Sequence, residues 1–305
     1  MSWAGIAAGL AAASIWGVMY VVTKVVLEVL PPFTLLTFRL VLGIACLAIP
    51  VALRGGIRLS RLRLIQALLI GLVGYGISVG LQFIGTRLST AANASLVTSA
   101  TPAFMVVFAG VILRERPTRR GLAGLALATA GVLAVLDPSS ARLGGDLLAG
   151  NLALIGAALT WALYSVLIRW ISRDQATLPL SLVCFVGGLP LSVALAAGEW
   201  PRIDFGAVTP GVVYGVLYVG IISTAGAMYL WNKSLALLDA GLAGLMIFAQ
   251  PVVGAGLGAA LLSEHLGAAY WLGAGFIAAG VIVSSTRSAS RARKATGAAL
   301  PGGDE

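Results

Sequence analysis

The sequence predicts an all-α integral membrane protein of ten transmembrane helices, arranged as two inverted five-helix repeats around a central cavity. Three observations predict this fold: the composition, a succession of long apolar runs, and an internal repeat. Of the 305 residues, 59% are hydrophobic and only 10% are charged, whereas soluble domains carry about 25% charged residues. Because so little polar surface is available, most of the outer surface must face hydrocarbon.

Apolar runs follow one another along almost the whole chain, and a spanning helix needs roughly 20 mostly apolar residues. Pro31-Pro32 and Glu199-Trp200-Pro201 are expected to end the first and seventh runs, because proline has no N–H to donate. The first run is too long for a signal-peptide core and is expected to remain in place. The predicted spans are Ala4–Val29, Phe33–Leu53, Leu64–Ile84, Ala91–Leu113, Gly121–Leu136, Leu147–Ile171, Leu178–Ala197, Gly211–Leu230, Gly241–Leu262 and Ala268–Ser285.

The cationic side chains favour one orientation, since Lys and Arg accumulate in cytoplasmic loops. Most of them follow even-numbered spans, in the ranges 54–63, 114–120, 169–173 and 287–294 and at Lys233. This distribution predicts a multi-pass protein with both termini in the cytoplasm. The high alanine, glycine and arginine content indicates a prokaryotic origin and therefore a bacterial inner membrane. The net charge of +9 is therefore expected to meet anionic membrane lipid rather than nucleic acid. No obligate protein partner is predicted.

The second half of the chain repeats the first. A shift of 149 residues places Ala91–Leu133 on Ala240–Ile282 without a gap, and Pro102 then coincides with Pro251. Each half holds five predicted spans, an odd number, so the second half must be inverted relative to the first. Inverted repeats are typical of secondary transporters, whose substrate site lies near the membrane midplane between the halves.

The repeat also sets the predicted domain boundaries. We expect a first five-helix repeat at residues 1–140 and a second at residues 145–287. Residues 288–305, rich in small and basic residues, are expected to form a disordered cytoplasmic tail.

Signals of enzymatic chemistry are weak. Residues 76–80 fit the G-x-S-x-G pattern of serine hydrolases, but that pattern requires a strand-to-helix turn, and Ser78 is predicted within a helix. The general base that a serine nucleophile needs could only be His265, which is predicted in a loop. One histidine and two separated cysteines do not form a metal site. We therefore predict no enzyme activity, no catalytic residue, no metal and no cofactor, with a membrane enzyme or scaffold kept as the distant alternative.

Three ionisable residues, Lys24, Glu28 and Arg39, are predicted near the outer ends of the first two spans. Two interpretations remain open: the side chains reach the lipid headgroups, or they form ion pairs at the mouth of a cavity. No Asp or Glu is predicted at mid-span, which favours facilitated diffusion over proton coupling. No Arg or Lys is predicted at mid-depth either, which favours a neutral or zwitterionic solute.

Aromatic and neutral polar residues at mid-depth are the candidate substrate ligands. Spacing of three or four residues places several of them on shared helix faces, and the repeat relates spans one, three, six and eight. Each aromatic ring alone also fits ordinary helix packing, but together they favour a cavity for a solute with an apolar part. The candidates are Trp16, Tyr20, Tyr75, Ser78, Gln82, Asn93, Trp161, Tyr164, Ser165, Thr224, Trp231 and Gln250.

The order of several short motifs resembles the EamA branch of the drug/metabolite transporter (DMT) superfamily. The resemblance covers nearly the whole chain and rests on the following segments and their duplication: Ser14-Ile15-Trp16-Gly17, Pro31-Pro32, Phe38-Arg39, Thr90–Leu96 leading to Pro102, Glu115, and Ala240–Leu245 leading to Pro251 and Glu264. It implies a ten-helix bundle with cytoplasmic termini and a central substrate cavity. The aromatic lining resembles that of bacterial aromatic amino-acid exporters.

These observations and the resemblance together predict a transporter of a small molecule. It is expected to export amino acids, aromatic and apolar ones preferred, and related metabolites by alternating access as facilitated diffusion. The alternative is an exporter of another metabolite or drug, such as a nucleobase, a sugar derivative or a cationic drug, coupled to protons. Small multidrug exporters use a glutamate deep in their first helix, whereas Glu28 is predicted at the end of the first span.

Overall fold

The computed structural model describes residues 3–114, 119–135, 145–171, 177–237, 246–247 and 249–285. All regular secondary structure in these ranges is helical. Three predicted features lie outside these described ranges: the tail, Glu115 and most of the start of the ninth span. The α-helices are α1 (Trp3–Val26), α2 (Pro32–Leu53), α3 (Arg61–Gly71), α4 (Val79–Leu88), α5 (Ala91–Thr98), α6 (Thr101–Ile112), α7 (Arg119–Val135), α8 (Gly145–Ile171), α9 (Thr177–Glu199), α10 (Pro210–Leu217), α11 (Ala227–Leu237), α12 (Ala249–Leu262) and α13 (Ala268–Ser285).

Seven helical segments in the described ranges are long and apolar enough to cross a membrane. They are Trp3–Val26, Pro32–Leu53, Arg61–Leu88, Ala91–Ile112, Gly145–Ile168, Leu178–Arg202 and Pro210–Trp231. Three shorter apolar helices, at Leu122–Gly131, Ala249–Leu262 and Ala268–Gly280, lie where the other predicted spans fall. Large apolar side chains are exposed on the outside, including Trp3 and Leu53. An apolar exterior of this kind suits lipid, where helices satisfy their own backbone hydrogen bonds.

The helices begin and end at residues whose side chains accept hydrogen bonds from free backbone N–H groups, or at prolines, which have no N–H. The Thr90 hydroxyl accepts a hydrogen bond from the backbone N–H of Asn93 (3.1 Å) at the start of α5, the usual role of threonine at this position. Helix α2 begins directly after Pro31, with Pro32 in its first turn, where a missing N–H costs nothing. Helix α1 ends at Val26, three residues before the predicted end, and a turn leads into the two prolines.

Two π-helical segments interrupt the third and eighth predicted spans. The first, Leu72–Ser78, joins α3 to α4, and the second, Tyr218–Gly226, joins α10 to α11. We call them the first and second π segments. The repeat shift of 149 residues carries the first segment onto residues 221–227, which overlap the second. Such segments are rare and occur frequently at functional sites.

The fourth predicted span is also broken, although the sequence predicts one continuous helix from Ala91 to Leu113. Helix α5 ends at Thr98 and α6 begins at Thr101, because Pro102 follows in the first turn and cannot continue the hydrogen-bond ladder. In the second half α12 begins at Ala249, two residues before Pro251, which the repeat aligns with Pro102. One broken helix and two π segments therefore lie in the described part of the bundle, and α12 starts where the repeat places the second half of that broken helix.

Glycine allows the closest packing between helices in the part of the bundle that holds α3 and α9. A Cβ atom on Gly71 would overlap the carbonyl group of Cys184, and one on Gly187 would overlap that of Leu68. Small residues permit this backbone approach in membrane helices. Both cysteines, Cys46 and Cys184, are free thiols, as the sequence predicts.

Candidate substrate site

Tyr20 of α1 lies at the centre of a buried polar cluster. Its hydroxyl is 2.6 Å from Thr98 Oγ1, at the break between α5 and α6, and it accepts a hydrogen bond from the amide of Gln82. The Thr98 hydroxyl donates onward to the carbonyl of Ala94 (2.6 Å), so Tyr20 is the donor to Thr98. The side chain of Gln250, in the first turn of α12, also interacts with the Tyr20 hydroxyl. We call Tyr20, Gln82, Thr98 and Gln250 the polar centre.

Arg39 of α2 is buried beside this centre, with 6% of its surface exposed. Its Nε donates to Thr224 Oγ1 (3.0 Å) in the second π segment, and its Nη1 donates to Met19 Sδ (3.3 Å). The guanidinium carbon lies 5.7 Å from the centre of the Phe83 ring, within the range of a cation–π contact. The prediction that this side chain either reaches the headgroups or sits at a cavity mouth is wrong, because its neighbours enclose it in the interior.

Arg39 also places a cation in the interior of the bundle, where the sequence predicts only neutral groups. It follows the first residue of α2 by seven positions, about 10 Å along a helix that rises 1.5 Å per residue. Gly43, one turn further along, lets the second π segment approach, since a Cβ atom there would lie 2.9 Å from Thr224 Cγ2. The tertiary packing of α2 therefore decides where the arginine points.

Trp16 and Trp231 form a pair on the other side of the second π segment. Their ring centres are 5.8 Å apart, a separation at which aromatic rings attract each other. Trp16 Nε1 also donates to the carbonyl of Ser223 (2.9 Å). Both rings are half-buried, so part of each ring is accessible.

Three predicted ligands, Tyr75, Trp161 and Tyr164, form an aromatic cluster with Phe185. The Trp161 and Tyr164 rings are stacked with centres 4.7 Å apart, and Tyr75 packs edge-on against all three rings. Tyr164 donates to the Tyr75 hydroxyl (3.2 Å). Tyr75 and Tyr164 are buried, and Trp161 is half-buried. In this conformation only Trp161 presents part of its ring outside the packed cluster.

The remaining candidates lie apart from the polar centre. The Ser78 hydroxyl donates to the carbonyl of Ala157 in α8 (2.8 Å), which joins two helices. Ser165 donates to the carbonyl of Trp161 within its own helix (2.7 Å). Asn93 lies in the first turn of α5, near the end of the bundle, and is half-buried.

Ser78 does not occupy the geometry of a hydrolase nucleophile. It lies in the first π segment rather than at a strand-to-helix turn, and its proton is directed to Ala157. His265 is exposed in the loop after α12. Within the described ranges, no three His, Cys, Asp or Glu side chains lie close enough together to hold a metal ion.

Lys24 joins the end of α1 to the end of α4 at one end of the bundle, which we call the Lys24 end. Its Nζ donates to the carbonyls of Thr86 (3.2 Å), Arg87 (2.7 Å) and Ser89 (2.6 Å) at the end of α4. A cation at a helix C-terminus satisfies carbonyls that lack a partner in the helix. Ser89 in turn donates to Asn151 of α8 (2.8 Å).

Two glutamates cap helix N-termini at the same end. Glu264, after α12, accepts hydrogen bonds from the N–H groups of Ala91 (2.6 Å) and Ala92 (2.9 Å) at the start of α5. Glu199, at the end of α9, accepts from the N–H of Thr34 (2.8 Å) at the start of α2. Carboxylates stabilise helix N-termini because the free N–H groups and the helix dipole are positive there. Contacts between distant parts of the chain therefore close this end of the bundle around α5.

With this geometry described, comparison with known proteins identifies the family. A family model described as the EamA-like transporter family matches residues 3–136 and again residues 148–286. The chain belongs to the EamA-like transporter family. This membership and the apolar helices establish a multi-pass membrane protein with a transporter role, as the resemblance predicts.

Relatives of this EamA protein carry transporter names at low identity. The chain is 26% identical over 277 residues to the uncharacterized transporter YcxC of Bacillus subtilis (strain 168), covering 88% of each chain. It is 27% identical over 285 residues to a probable amino-acid metabolite efflux pump of Salmonella typhimurium (strain LT2), covering 88% of this chain and 91% of the other. A protein of the same description from Escherichia coli (strain K12) is 26% identical over 286 residues, with the same coverage.

A solved crystal structure has the same fold as this EamA protein. The TM-score is 0.65 at 22% sequence identity, and the match covers 96% of this chain and 100% of the other. At this identity the likeness concerns the fold alone.

Two residues of the central region are absent from the sequence-based candidates. Thr98 lies at a helix break. The sequence signal for this break is the nearby Pro102, since a proline within a span often marks a break. The sequence predicts Arg39 at the membrane interface, because its distance from the end of the span is the only guide. Its contact with Thr224 joins residues 185 positions apart in the chain, which sequence spacing alone does not reveal.

Proposed function

We propose that this EamA-family transporter exports amino acids, with aromatic and apolar ones preferred, and related metabolites across a bacterial inner membrane. It does so by alternating access as facilitated diffusion. Ten transmembrane helices form two inverted repeats, residues 1–140 and 145–287, and both termini lie in the cytoplasm. Membrane lipid surrounds the bundle, and no cofactor takes part.

The observation that carries the proposal is the position of the polar centre. Tyr20 contacts Thr98 at the break before α6 and Gln250 in the first turn of α12, and Arg39 contacts Thr224 in a π segment beside it. Discontinuous helices that meet near the midplane form the substrate sites of inverted-repeat transporters. The two π segments overlap under the 149-residue shift, and the starts of α6 and α12 then lie one residue apart, which supports the division into two repeats.

The half-buried aromatic rings suit an apolar or aromatic side chain of the solute. Trp16 and Trp231 lie on one side of the second π segment, and Trp161 belongs to the cluster that packs against α9. An apolar pocket with a few polar groups that fix orientation is the usual form of a small-molecule site. We propose that Tyr75, Ser78, Asn93, Tyr164 and Ser165 join this lining when the helices rearrange.

The Lys24 end supports one half of an alternating-access cycle. With the proposed orientation this end faces away from the cytoplasm, and the contacts of Lys24, Glu199 and Glu264 hold it closed. A cavity of about 310 Å³ lies at this end, lined by Glu28, Val29, Pro31, Arg87, Glu199, Arg202, Asp204 and Ala207. Release of the solute on this side requires the caps to separate.

Facilitated diffusion is supported by the placement of the acidic residues. Among the described residues, Glu199 and Glu264 cap helix ends and Glu28 is exposed. None of the three lies at the polar centre, where a proton-coupling carboxylate is expected. The flux should therefore follow the solute gradient and be unaffected by a pH gradient.

Tracer flux into proteoliposomes that contain the purified protein tests the proposal. The panel holds tryptophan, phenylalanine, leucine and threonine, with a nucleobase and a cationic drug for comparison, each with and without an imposed pH gradient. We expect saturable flux of the aromatic amino acids that the pH gradient does not change. Protein-free liposomes provide the control for leakage.

Three other outcomes contradict parts of the proposal. Flux of the nucleobase or drug without flux of any amino acid would contradict amino acids as the substrate class and favour the solute that is transported. Flux that rises in proportion to the pH gradient replaces facilitated diffusion by proton coupling. No saturable flux of any solute from folded protein contradicts the substrate assignment as a whole.

A further inference from the structure

The guanidinium group of Arg39 is a positive charge in the interior of the bundle, and no carboxylate of the described residues lies beside it. Among the described residues, the ionisable side chains that act on it are the neutral hydroxyls of Tyr20 and Tyr75. Arginine cannot be deprotonated in a protein, and a buried charge without a counter-ion is costly. Ionisable residues in membrane interiors are rare and mark substrate or ion pathways.

Its hydrogen-bonding groups are only partly used. Arginine has five N–H donors in a planar fork, and the described structure assigns Nε to Thr224 and Nη1 to Met19. The partner of Nη1 is a thioether sulfur, which is a weak acceptor. A methionine side chain has three rotatable bonds and can be displaced easily. The guanidinium is thus held in place by Thr224, while the acceptor that the described residues offer to Nη1 is weak.

A second group beside Arg39's partner is also unsatisfied. Ser223 precedes Thr224 in the second π segment, and its buried hydroxyl has no hydrogen-bond partner among the described residues. A carboxylate is the ligand that suits the guanidinium, since it accepts two parallel hydrogen bonds from an arginine fork.

We propose that Arg39 binds the carboxylate group of the transported solute. This inference rests on the proposed transport function and narrows it to small monocarboxylates that have an apolar remainder. The carboxylate displaces the Met19 sulfur and neutralises the buried charge, and Thr224 positions the guanidinium. The polar centre offers neutral groups to the rest of the solute, and it holds no acidic side chain for an ammonium group. The carboxylate is therefore required, and the amine is dispensable.

The experiment compares three compounds that share one ring and differ in charge. Phenylalanine carries both groups, phenylpyruvate lacks the amine, and phenylalaninamide lacks the carboxylate. Each is tested for thermal stabilisation of the purified protein and for inhibition of tracer flux in proteoliposomes. We expect phenylalanine and phenylpyruvate to act at similar concentrations and phenylalaninamide to be at least about tenfold weaker, the loss expected when a charge-assisted pair is removed.

Variants assign this preference to one residue. Arg39→Gln should bring acid and amide to equal, weak potency, and Arg39→Lys should restore part of the preference, since lysine keeps the charge without the fork. Arg54→Gln, in the exposed turn after α2, is the matched control and should behave as wild type. Thr224→Val keeps the charge of Arg39 and the size of the side chain at position 224, but it removes the hydroxyl that positions the guanidinium. It should therefore weaken binding of the two acids and leave binding of the amide unchanged. If Arg39→Gln does not fold, Thr224→Val and the wild-type compound series still decide the question.

The outcomes separate this inference from the proposed function. Equal potency of the amide and the acids in the wild type overturns the role of Arg39, and saturable flux in the same assay would leave the transport proposal standing. Stabilisation by both acids without flux supports the site and contradicts export of these solutes. A wider set of monocarboxylates, from acetate to phenylpyruvate, that neither stabilises the protein nor inhibits flux overturns the inference.

Discussion

Replacement of Tyr20 by phenylalanine is expected to lower amino-acid flux about tenfold while the protein remains folded. The ring is kept, but Gln82 and Thr98 lose the hydroxyl that joins them. A buried polar group that loses its partner costs about 1–3 kcal/mol, and 1.4 kcal/mol corresponds to a factor of about ten in rate. Initial rates of tracer flux, at equal amounts of reconstituted protein, measure the effect.

A lipid-facing tyrosine provides the control for this substitution. Tyr229, in α11, has 63% of its surface exposed, so Tyr229→Phe should leave flux and thermal stability unchanged. If Tyr20→Phe transports as fast as wild type, the polar centre does not contact the solute. If it loses stability in step with flux, its role is to hold α1 against α5 rather than to bind.

The second large effect is expected at the Lys24 end, from Glu264→Ala. The substitution removes the carboxylate that accepts hydrogen bonds from Ala91 and Ala92. Hydrogen bonds to charged groups contribute about 1.5–3 kcal/mol each, so a loss of about 2–3 kcal/mol in the free energy of unfolding is expected when water replaces one of them. Thermal unfolding of the purified protein in detergent measures the loss.

Glu28 supplies the matched control, because it is an exposed glutamate near the same end. Glu28→Ala should leave the unfolding temperature unchanged. Glu264→Gln keeps an amide oxygen as acceptor and should lose only part of the stability. An unfolding temperature of Glu264→Ala equal to that of Glu28→Ala would show that the cap contributes nothing measurable.

The sequence predicts the positions of the helices well, because membrane spans depend on local hydropathy and on proline. Helix α9 ends at Glu199, two residues beyond the predicted span, and α2 starts at Pro32, one residue before the predicted span. The π segments and the helix break cannot be predicted in this way. Their hydrogen bonds depend on how the helices pack against one another. Thr224, for example, donates to the carbonyl of Val219 five residues earlier and also accepts from Arg39 of a distant helix.

The candidate site, too, can be predicted only in part from the sequence. Spacing along one helix groups residues of one face, which is why Tyr20 and Trp16 were both selected. It does not distinguish a ring packed against other rings, such as Tyr164, from one that faces a solute. Burial of Lys24 and Arg39 depends on what opposes each side chain, and for both the opposing groups come from other parts of the chain.

The accessibility of Thr98 to a water-soluble reagent tests the central claim most directly, namely that the solute path passes through the polar centre. Thr98→Cys is made in a background in which Cys46 and Cys184 are replaced by serine and alanine. A membrane-impermeant thiol reagent is applied to each side of reconstituted protein, with and without tryptophan. Tyr229→Cys, which faces lipid, serves as the control.

The account predicts that the cysteine at position 98 reacts as the protein cycles and that tryptophan slows this reaction several-fold, because solute and reagent compete for the same space. The control cysteine should not react, since the reagent does not enter hydrocarbon. A cysteine at position 98 that no reagent reaches from either side of folded protein would contradict a path through this centre.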